Sequence, residues 1–218
     1  MYAPQLTISP EHEYSIGPRK LSGVTKMIRT FFPMAWQPGE YYLERGKALH
    51  DAIHLEARGK MDSIFPKWEA AVIESQRKED AEKVLNKFAA YKKFAWDLNF
   101  IPSISEQRMH SEKLGFAGTL DAVGTINADP TSILFDWKSS CELLPLMLQL
   151  GLYSLLYTEN TGARLCKAAG LILNNDGSYK LVWGTRNPKR DNARFDLTIA
   201  ESGGRNLVSL YALKERYQ

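Results

Sequence analysis

Between Leu143 and Tyr157 the chain reads LLPLMLQLGLYSLLY, apolar almost all the way round a helical turn. A helix of that kind has no face to offer water, so it has to lie buried against other structure. It is too short for the run of about 18 apolar residues that marks a membrane span, and no other stretch reaches that length. Its natural partner is the segment just before it, where the periodicity is two and one face of a sheet is apolar.

Period-two patterning predicts strands over residues 103–110, 116–126 and 132–139, with turns at Lys113-Leu114-Gly115 and Asn127-Ala128-Asp129-Pro130. Two more strands, 167–174 and 178–184, are joined by Asn175-Asp176-Gly177, a strong hairpin signal. A strand at 194–199 and a helix from 202 to 217 close the chain.

The first hundred residues read differently. Residues 1–20 are polar and carry Pro4, Pro10 and Pro18, which predicts an extended arm. Ser22 or Thr25 is expected to cap a short helix through Phe31 that Pro33 stops. A second helix is predicted over 39–58, with Tyr42, Gly46, Leu49 and Ile53 on one face and His50 and His54 beside that stripe. Residues 67–98 read as amphipathic helix, interrupted near Gln76, with Val72, Val84, Leu85, Phe88, Tyr91 and Phe94 as its apolar side. With 218 residues, the expectation is an arm (1–20) and a single domain (21–218), with a helical elaboration at about 60–100.

Composition excludes little. Hydrophobic residues make up 44% and charged residues 24%, which argues against disorder and against a disulfide scaffold. The net charge of +3 does not decide for or against nucleic acid, because a basic patch can sit on a nearly neutral protein. Cys141 and Cys166 stand in no CxxC or Cys/His spacing, so no zinc ribbon or iron-sulfur cluster is expected. The start MYAPQLTISPEHEY lacks the basic-then-apolar order of a secretory signal, and the expected location is cytoplasmic, away from membranes.

The chemistry concentrates in two strands. In Ile133-Leu134-Phe135-Asp136-Trp137-Lys138, alternation puts Asp136 and Lys138 on one face and Phe135 and Trp137 on the other. In Gly118-Thr119-Leu120-Asp121-Ala122-Val123, Asp121 stands among small and apolar residues, where an unpaired charge is costly and a metal ion is one remedy. Two strand aspartates suit a hard cation such as Mg²⁺, held by carboxylates, water and substrate phosphate oxygens. Such a cation polarises a phosphate and acidifies an attacking water, while a fixed ammonium such as Lys138 orients that water or stabilises the transition-state charge.

The order of these features resembles the PD-(D/E)xK nuclease superfamily, particularly its RecB-like branch and the exonuclease-like proteins of phages and mitochondria. The resemblance runs through Leu21-Ser22-Gly23-Val24-Thr25, Glu44-Arg45-Gly46-Lys47-Ala48-Leu49-His50, Glu106, Gly115-Phe116-Ala117-Gly118-Thr119-Leu120-Asp121, Asp136-Trp137-Lys138-Ser139-Ser140 and Gln149-Leu150-Gly151-Leu152-Tyr153. It implies an α/β protein with a restriction-endonuclease-like α-β-β-β-α-β core, its mixed sheet flanked by helices. It also implies catalytic roles for Asp121, Asp136 and Lys138, with one or two Mg²⁺ or Mn²⁺ ions held by His50, Asp121, Asp136 and the Trp137 carbonyl. Gln149 and Tyr153, at i, i+4 on one helical face, match a motif that contacts DNA or braces the site. Glu106 matches a frequently acidic first-strand position.

The implied activity is hydrolysis of DNA from an end, in phage or genome recombination, replication or repair. DNA is the implied partner, alongside a single-strand-binding or recombination protein, and a phage-encoded chain would work in the host cytoplasm. The sequence departs from the family in having Leu120 rather than proline before the first aspartate. It also lacks the cluster-binding cysteines of the iron-sulfur subgroup.

Other readings start from the same residues. His50 and His54, i, i+4 apart, could serve a zinc hydrolase with Asp121 or Asp136, although the HExxH glutamate is absent, position 51 being Asp. A catalytically silent DNA-binding or recombination module would keep the fold without turnover. The segment Lys87–Trp96 reads as core plus solvated face, with nucleic-acid tracking as the alternative, and Arg186-Asn187-Pro188-Lys189-Arg190 reads as a basic loop able to touch DNA.

Overall fold

Strand pairing in this chain converges on one central strand whose two edges are used differently. The computed structural model describes residues 5–9, 13–33, 40–75, 78–140 and 142–217. Pro4, Pro10, Gln76 and Cys141, and the side chains of Tyr42 and Glu44, lie outside the described residues. In chain order the elements are β1 (Leu6–Ile8), β2 (Tyr14–Ile16), β3 (Arg19–Gly23), α1 (Val24–Phe31), α2 (Glu40–Ala57), α3 (Met61–Ser75) and α4 (Lys78–Asp97). There follow β4 (Ile101–Ser111), β5 (Phe116–Ile126), β6 (Asp129–Lys138), α5 (Leu143–Thr161), β7 (Lys167–Leu173), β8 (Tyr179–Thr185), α6 (Pro188–Asp191), β9 (Phe195–Asp196) and α7 (Leu197–Tyr217). The run from α4 through β4, β5, β6 and α5 to β7 has the expected α-β-β-β-α-β order.

All the strands join one mixed sheet, flanked by helices, in the order β1-β2-β3-β5-β6-β7-β8-β9, with β4 paired to β5 off that path. One edge of β5 is taken along its length by antiparallel β4. The other is shared: β3 pairs in parallel through Ser22 and Gly23 opposite Phe116 and Ala117, and β6 pairs antiparallel from Ala122↔Phe135 onward. Residues 118–121 have neither partner on that edge, so the sheet forks there. The β5–β6 hairpin turns on Asn127 and Ala128, at φ 51° and 59°, the left-handed pair that a two-residue connection needs to match strand twist.

The sheet divides the interior into two apolar cores. Val24, Met27 and Ile28 of α1 pack with α5 and α7 over Leu120, Val123 and Leu134. Val72, Val84, Phe88, Tyr91 and Phe94 of α3 and α4 pack with Leu49 and Ile53 of α2 over Ile133, Phe135 and Trp137. Alternation along β6 therefore sends Phe135 and Trp137 to the second core and leaves Asp136 and Lys138 on the side of α1 and α5. From Leu146 onward the apolar helix α5 is buried as its composition demands, at the α7 crossing and over the sheet, whereas Leu143 and Leu144 at its start are exposed. Among the described residues no helix is long and apolar enough to cross a membrane.

Several local expectations are corrected. Part of the segment read as an arm is paired: Leu6–Ile8 and Tyr14–Ile16 extend the sheet, and Tyr14, Ile16, Leu21 and Ala117 form a small third core. Neither Ser22 nor Thr25 caps α1, whose N-cap is Gly23 without a side-chain bond. The last helix begins at Leu197 rather than 202, because Asp196 Oδ1 accepts the N–H of Thr198 at 2.7 Å and so ends the strand. In α4, Phe88, Tyr91 and Phe94 are core, Lys92 and Lys93 pair with Glu56 and Asp97, and Trp96 alone of the aromatics stands out, 88% exposed.

Arg186 is not part of a free basic loop. Its guanidinium pairs with Glu201, which also accepts from Ser154 Oγ at 2.7 Å, and its Nε donates to the Leu165 carbonyl at 2.8 Å. Pro188 starts the short helix α6 directly after it. Arg186→Met is expected to lower unfolding free energy by about 2 kcal/mol in urea unfolding, since it leaves a largely buried carboxylate with only the Ser154 hydroxyl and Arg164 at 3.9 Å. Where α5 crosses α7, a Cβ on Gly151 would come within 2.3 Å of the Ala200 carbonyl, and backbone cannot swing aside. Gly151→Ala should therefore cost about 1–3 kcal/mol in urea unfolding; a midpoint unchanged from wild type would show that the two helices separate freely.

Candidate functional site

Asp121 sits where β6 leaves β5. The ladder ends at Ala122↔Phe135, and beyond it the Trp137 N–H donates not to a backbone carbonyl but to Asp121 Oδ2, at 2.7 Å. The carboxylate thus replaces a missing strand partner, which satisfies a buried donor and fixes Asp121 against the β6 backbone. Its other oxygen, Oδ1, lies 3.6 Å from His50 Nδ1. His50 comes from α2 and also bonds Glu106 Oε1 at 3.1 Å. Glu106 holds a left-handed φ of 50° within β4, a conformation that costs free energy in a non-glycine residue and tends to occur at functional positions.

Asp136 is 1% exposed. Lys138 pairs with its Oδ2, and Gln149 Nε2 donates to its Oδ1 at 3.1 Å. Gln149 Nε2 also donates to the Tyr153 hydroxyl at 3.1 Å, so the two residues one turn apart on α5 form a brace against Asp136. Gly118 lets Tyr153 lie on the sheet: a Cβ there would stand 2.7 Å from the Tyr153 ring and 3.0 Å from Val24. The structure therefore brings His50, Glu106, Asp121, Asp136, Trp137, Lys138, Gln149 and Tyr153 into one neighbourhood, although they come from α2, β4, β5, β6 and α5.

The electrostatics are those of a crowded, desolvated anion cluster. Burial, reinforced by the Asp121 charge, pushes Asp136 up to about 6 against the pull of Lys138. Burial likewise raises Asp121, opposed by the charges of His50 and Lys138. At His50 burial disfavours the charged ring, but the Asp121 charge and the Glu106 bond outweigh it and raise the imidazole to about 9. Burial also carries the Tyr153 hydroxyl well up, so it remains a neutral hydrogen-bonding group.

This donor set fits a hard divalent cation. Ligand atoms of His50, Glu106 and Asp121 all lie within 4.8 Å of one another. Asp136 Oδ2 is buried and accepts no well-directed hydrogen bond, although Lys138 lies beside it. Carboxylate oxygens with one imidazole suit Mg²⁺ or Mn²⁺. His54, whose Nδ1 bonds Ser105 Oγ at 2.9 Å, is not part of the cluster, so among the described residues the two histidines do not form a paired site.

A cavity of about 550 Å³ opens over these residues. Besides Thr25 and Ser140, its lining includes Arg29 and Phe32 of α1 and its end, and Glu142 and Pro145 at the start of α5, none of which stands out in the sequence. Their signal was present as the helical spacing of 25, 29 and 32 on the side of α1 away from Val24 and Met27. Which element that side faces is not written in α1.

No protein-family model matches the chain, and no curated protein matches it in sequence. In fold it is similar to the crystal structure named "Putative exonuclease" from Eubacterium rectale, with a TM-score of 0.50 and 12% identity, covering 94% of this chain and 86% of that one. At that identity the likeness is one of fold.

Binding of Mn²⁺, followed by calorimetric titration or by loss of the free-ion resonance signal, should weaken about tenfold or more in His50→Ala and in Glu106→Gln. Equal affinity in wild type and both variants would remove these residues from the ligand set.

Proposed function

We propose that this protein is a Mg²⁺- or Mn²⁺-dependent DNA nuclease that hydrolyses phosphodiester bonds from a strand end. The observation that carries the reading is the convergence of His50, Asp121, Asp136 and Lys138 on one cavity, built where the sheet forks, with Glu106 grouped with His50 and Asp121. The name of its fold neighbour, "Putative exonuclease", points the same way, as does the resemblance seen in the sequence. Catalytic roles fall to Asp121, Asp136 and Lys138, and the cation is held by His50, Asp121, Asp136 and the Trp137 carbonyl, with Glu106 as a further ligand.

A bound divalent cation supplies charge to polarise the phosphate and acidity to its water. The protein's own groups prepare the rest. Gln149 and Tyr153 hold Asp136 in one rotamer, so its carboxylate is placed before substrate arrives. Lys138 keeps an ammonium beside that carboxylate at the cavity floor, where low dielectric strengthens its pull on negative charge developing on the phosphate. His50 and Glu106 orient each other through their hydrogen bond. Processing of DNA ends during recombination, replication or repair, together with a single-strand-binding or recombination partner, is the setting proposed for this activity.

End-labelled linear DNA and closed circular DNA, incubated with Mg²⁺, Mn²⁺, Zn²⁺ or EDTA, test the proposal. Loss of the linear substrate alone, with Mg²⁺ or Mn²⁺ and not with EDTA, is the expected result. Asp136→Asn and Lys138→Ala should each lower the rate by at least a hundredfold or so while remaining folded; full activity in either would refute the assigned chemistry.

A further inference from the structure

The cavity over the carboxylates has walls of two kinds. Its lining is ionic at His50, Asp121, Asp136 and Lys138 and apolar at Ile28, Phe32, Pro33, Pro145 and Leu146. At about 550 Å³ it has the size of a small-ligand pocket rather than of a groove for a double helix. A duplex turns its phosphates outward and keeps its base faces stacked inside, so it has no base face to place against an apolar wall. A single strand carries phosphate and base face side by side, and a cleft with a cationic and an aromatic partner matches both.

Helix α1 supplies that pair. Arg29 is exposed at the cavity and makes no ion pair among the described residues. Phe32 stands three residues on, hence on the same side of the turn, half-buried against the core with its remaining surface on the cavity. Lys138 on the floor continues the positive charge toward Asp136.

We propose that the cleft between α1 and α5 takes a single DNA strand, with a phosphate on Arg29 and the adjoining base stacked on Phe32, while the scissile phosphodiester lies over Asp121 and Asp136. This inference rests on the nuclease reading of the site and adds to it the form of the substrate. A blunt duplex has to fray before its end can enter, and a protruding strand enters directly.

The test uses the whole chain as wild type, Arg29→Gln, Phe32→Leu and Phe32→Tyr. Phe32→Leu keeps an apolar side chain against the core while removing the ring face, and Phe32→Tyr restores that face. Substrates are a labelled single strand, the same sequence as a blunt duplex, and single strands carrying an abasic nucleotide at each position from the end in turn. The single strand should be cut at least about tenfold more efficiently than the blunt duplex. Phe32→Leu should raise KM for the intact single strand about tenfold, with Phe32→Tyr close to wild type. At one position the abasic nucleotide should reproduce that loss in wild type and add nothing further in Phe32→Leu. Arg29→Gln should flatten the salt dependence of single-strand binding by about 0.7 in logarithmic slope, the release expected for one phosphate contact.

Preference for the blunt duplex would overturn the proposal while leaving the nuclease reading intact. So would a Phe32→Leu defect of equal size on intact and abasic strands, because that defect would be one of packing. If wild type cuts no DNA with any cation, the nuclease reading fails, and fluorescence anisotropy with the single strand still decides the cleft. Binding lost in Phe32→Leu and in the abasic strand supports it, and binding indifferent to both refutes it.

Discussion

A single hydrogen bond, from the Trp137 N–H to Asp121 Oδ2, stands at the point from which the rest of this site is organised. A sheet that forks must leave backbone donors without strand partners, and buried donors without partners are costly. Here a side-chain carboxylate fills the vacancy. The bond keeps Asp121 buried at the fork and sets its relation to the two residues flanking Trp137, which are Asp136 and Lys138. A glutamine or serine at position 121 could also accept from the backbone, but neither would bring a charge to the floor of the cavity.

That charge has consequences for the whole cluster. Asp121, Asp136 and Glu106 share a space with His50 and Lys138, and burial raises both aspartates, Asp136 to about 6. Such an arrangement is unfavourable in isolation, and a divalent cation would relieve it; functional sites commonly trade stability for reactivity in this way. The surrounding structure holds the cluster in place: α5 fixes Asp136 through Gln149 and Tyr153, α2 brings His50, and a left-handed Glu106 turns β4 toward it. Each support comes from a different element, so the geometry depends on the packing of both cores.

The two faces of the sheet divide the work. On the side of α3 and α4, aromatic packing around Phe94, Phe135 and Trp137 makes a rigid backing for β6. On the other side α1 and α5 border the open cavity. Fold similarity alone would not separate an active enzyme from a silent relative, because function resides in sites rather than in architecture. The assembled cluster and the two-walled cleft are what give this chain a specific chemistry to test.

Much of this was legible along the chain because the physics that produces it is local. Alternation on β6 placed Asp136 with Lys138 and opposite Phe135 and Trp137, and helical spacing put Gln149 with Tyr153. The uniform apolarity of α5 required its burial. The N-terminal strands were not legible, since short polar segments become strands only when a partner edge accepts them. Nor was the role of Arg186, which follows β8 and whose partner Glu201 lies on α7, or the end of the last strand, where Asp196 caps a helix that periodicity had started later. Residue type and spacing alone determined which side chains share a face. Which faces meet, where the sheet forks and which helix wall borders the cleft were decided only in three dimensions, because those contacts join residues far apart in sequence and depend on how well whole surfaces pack.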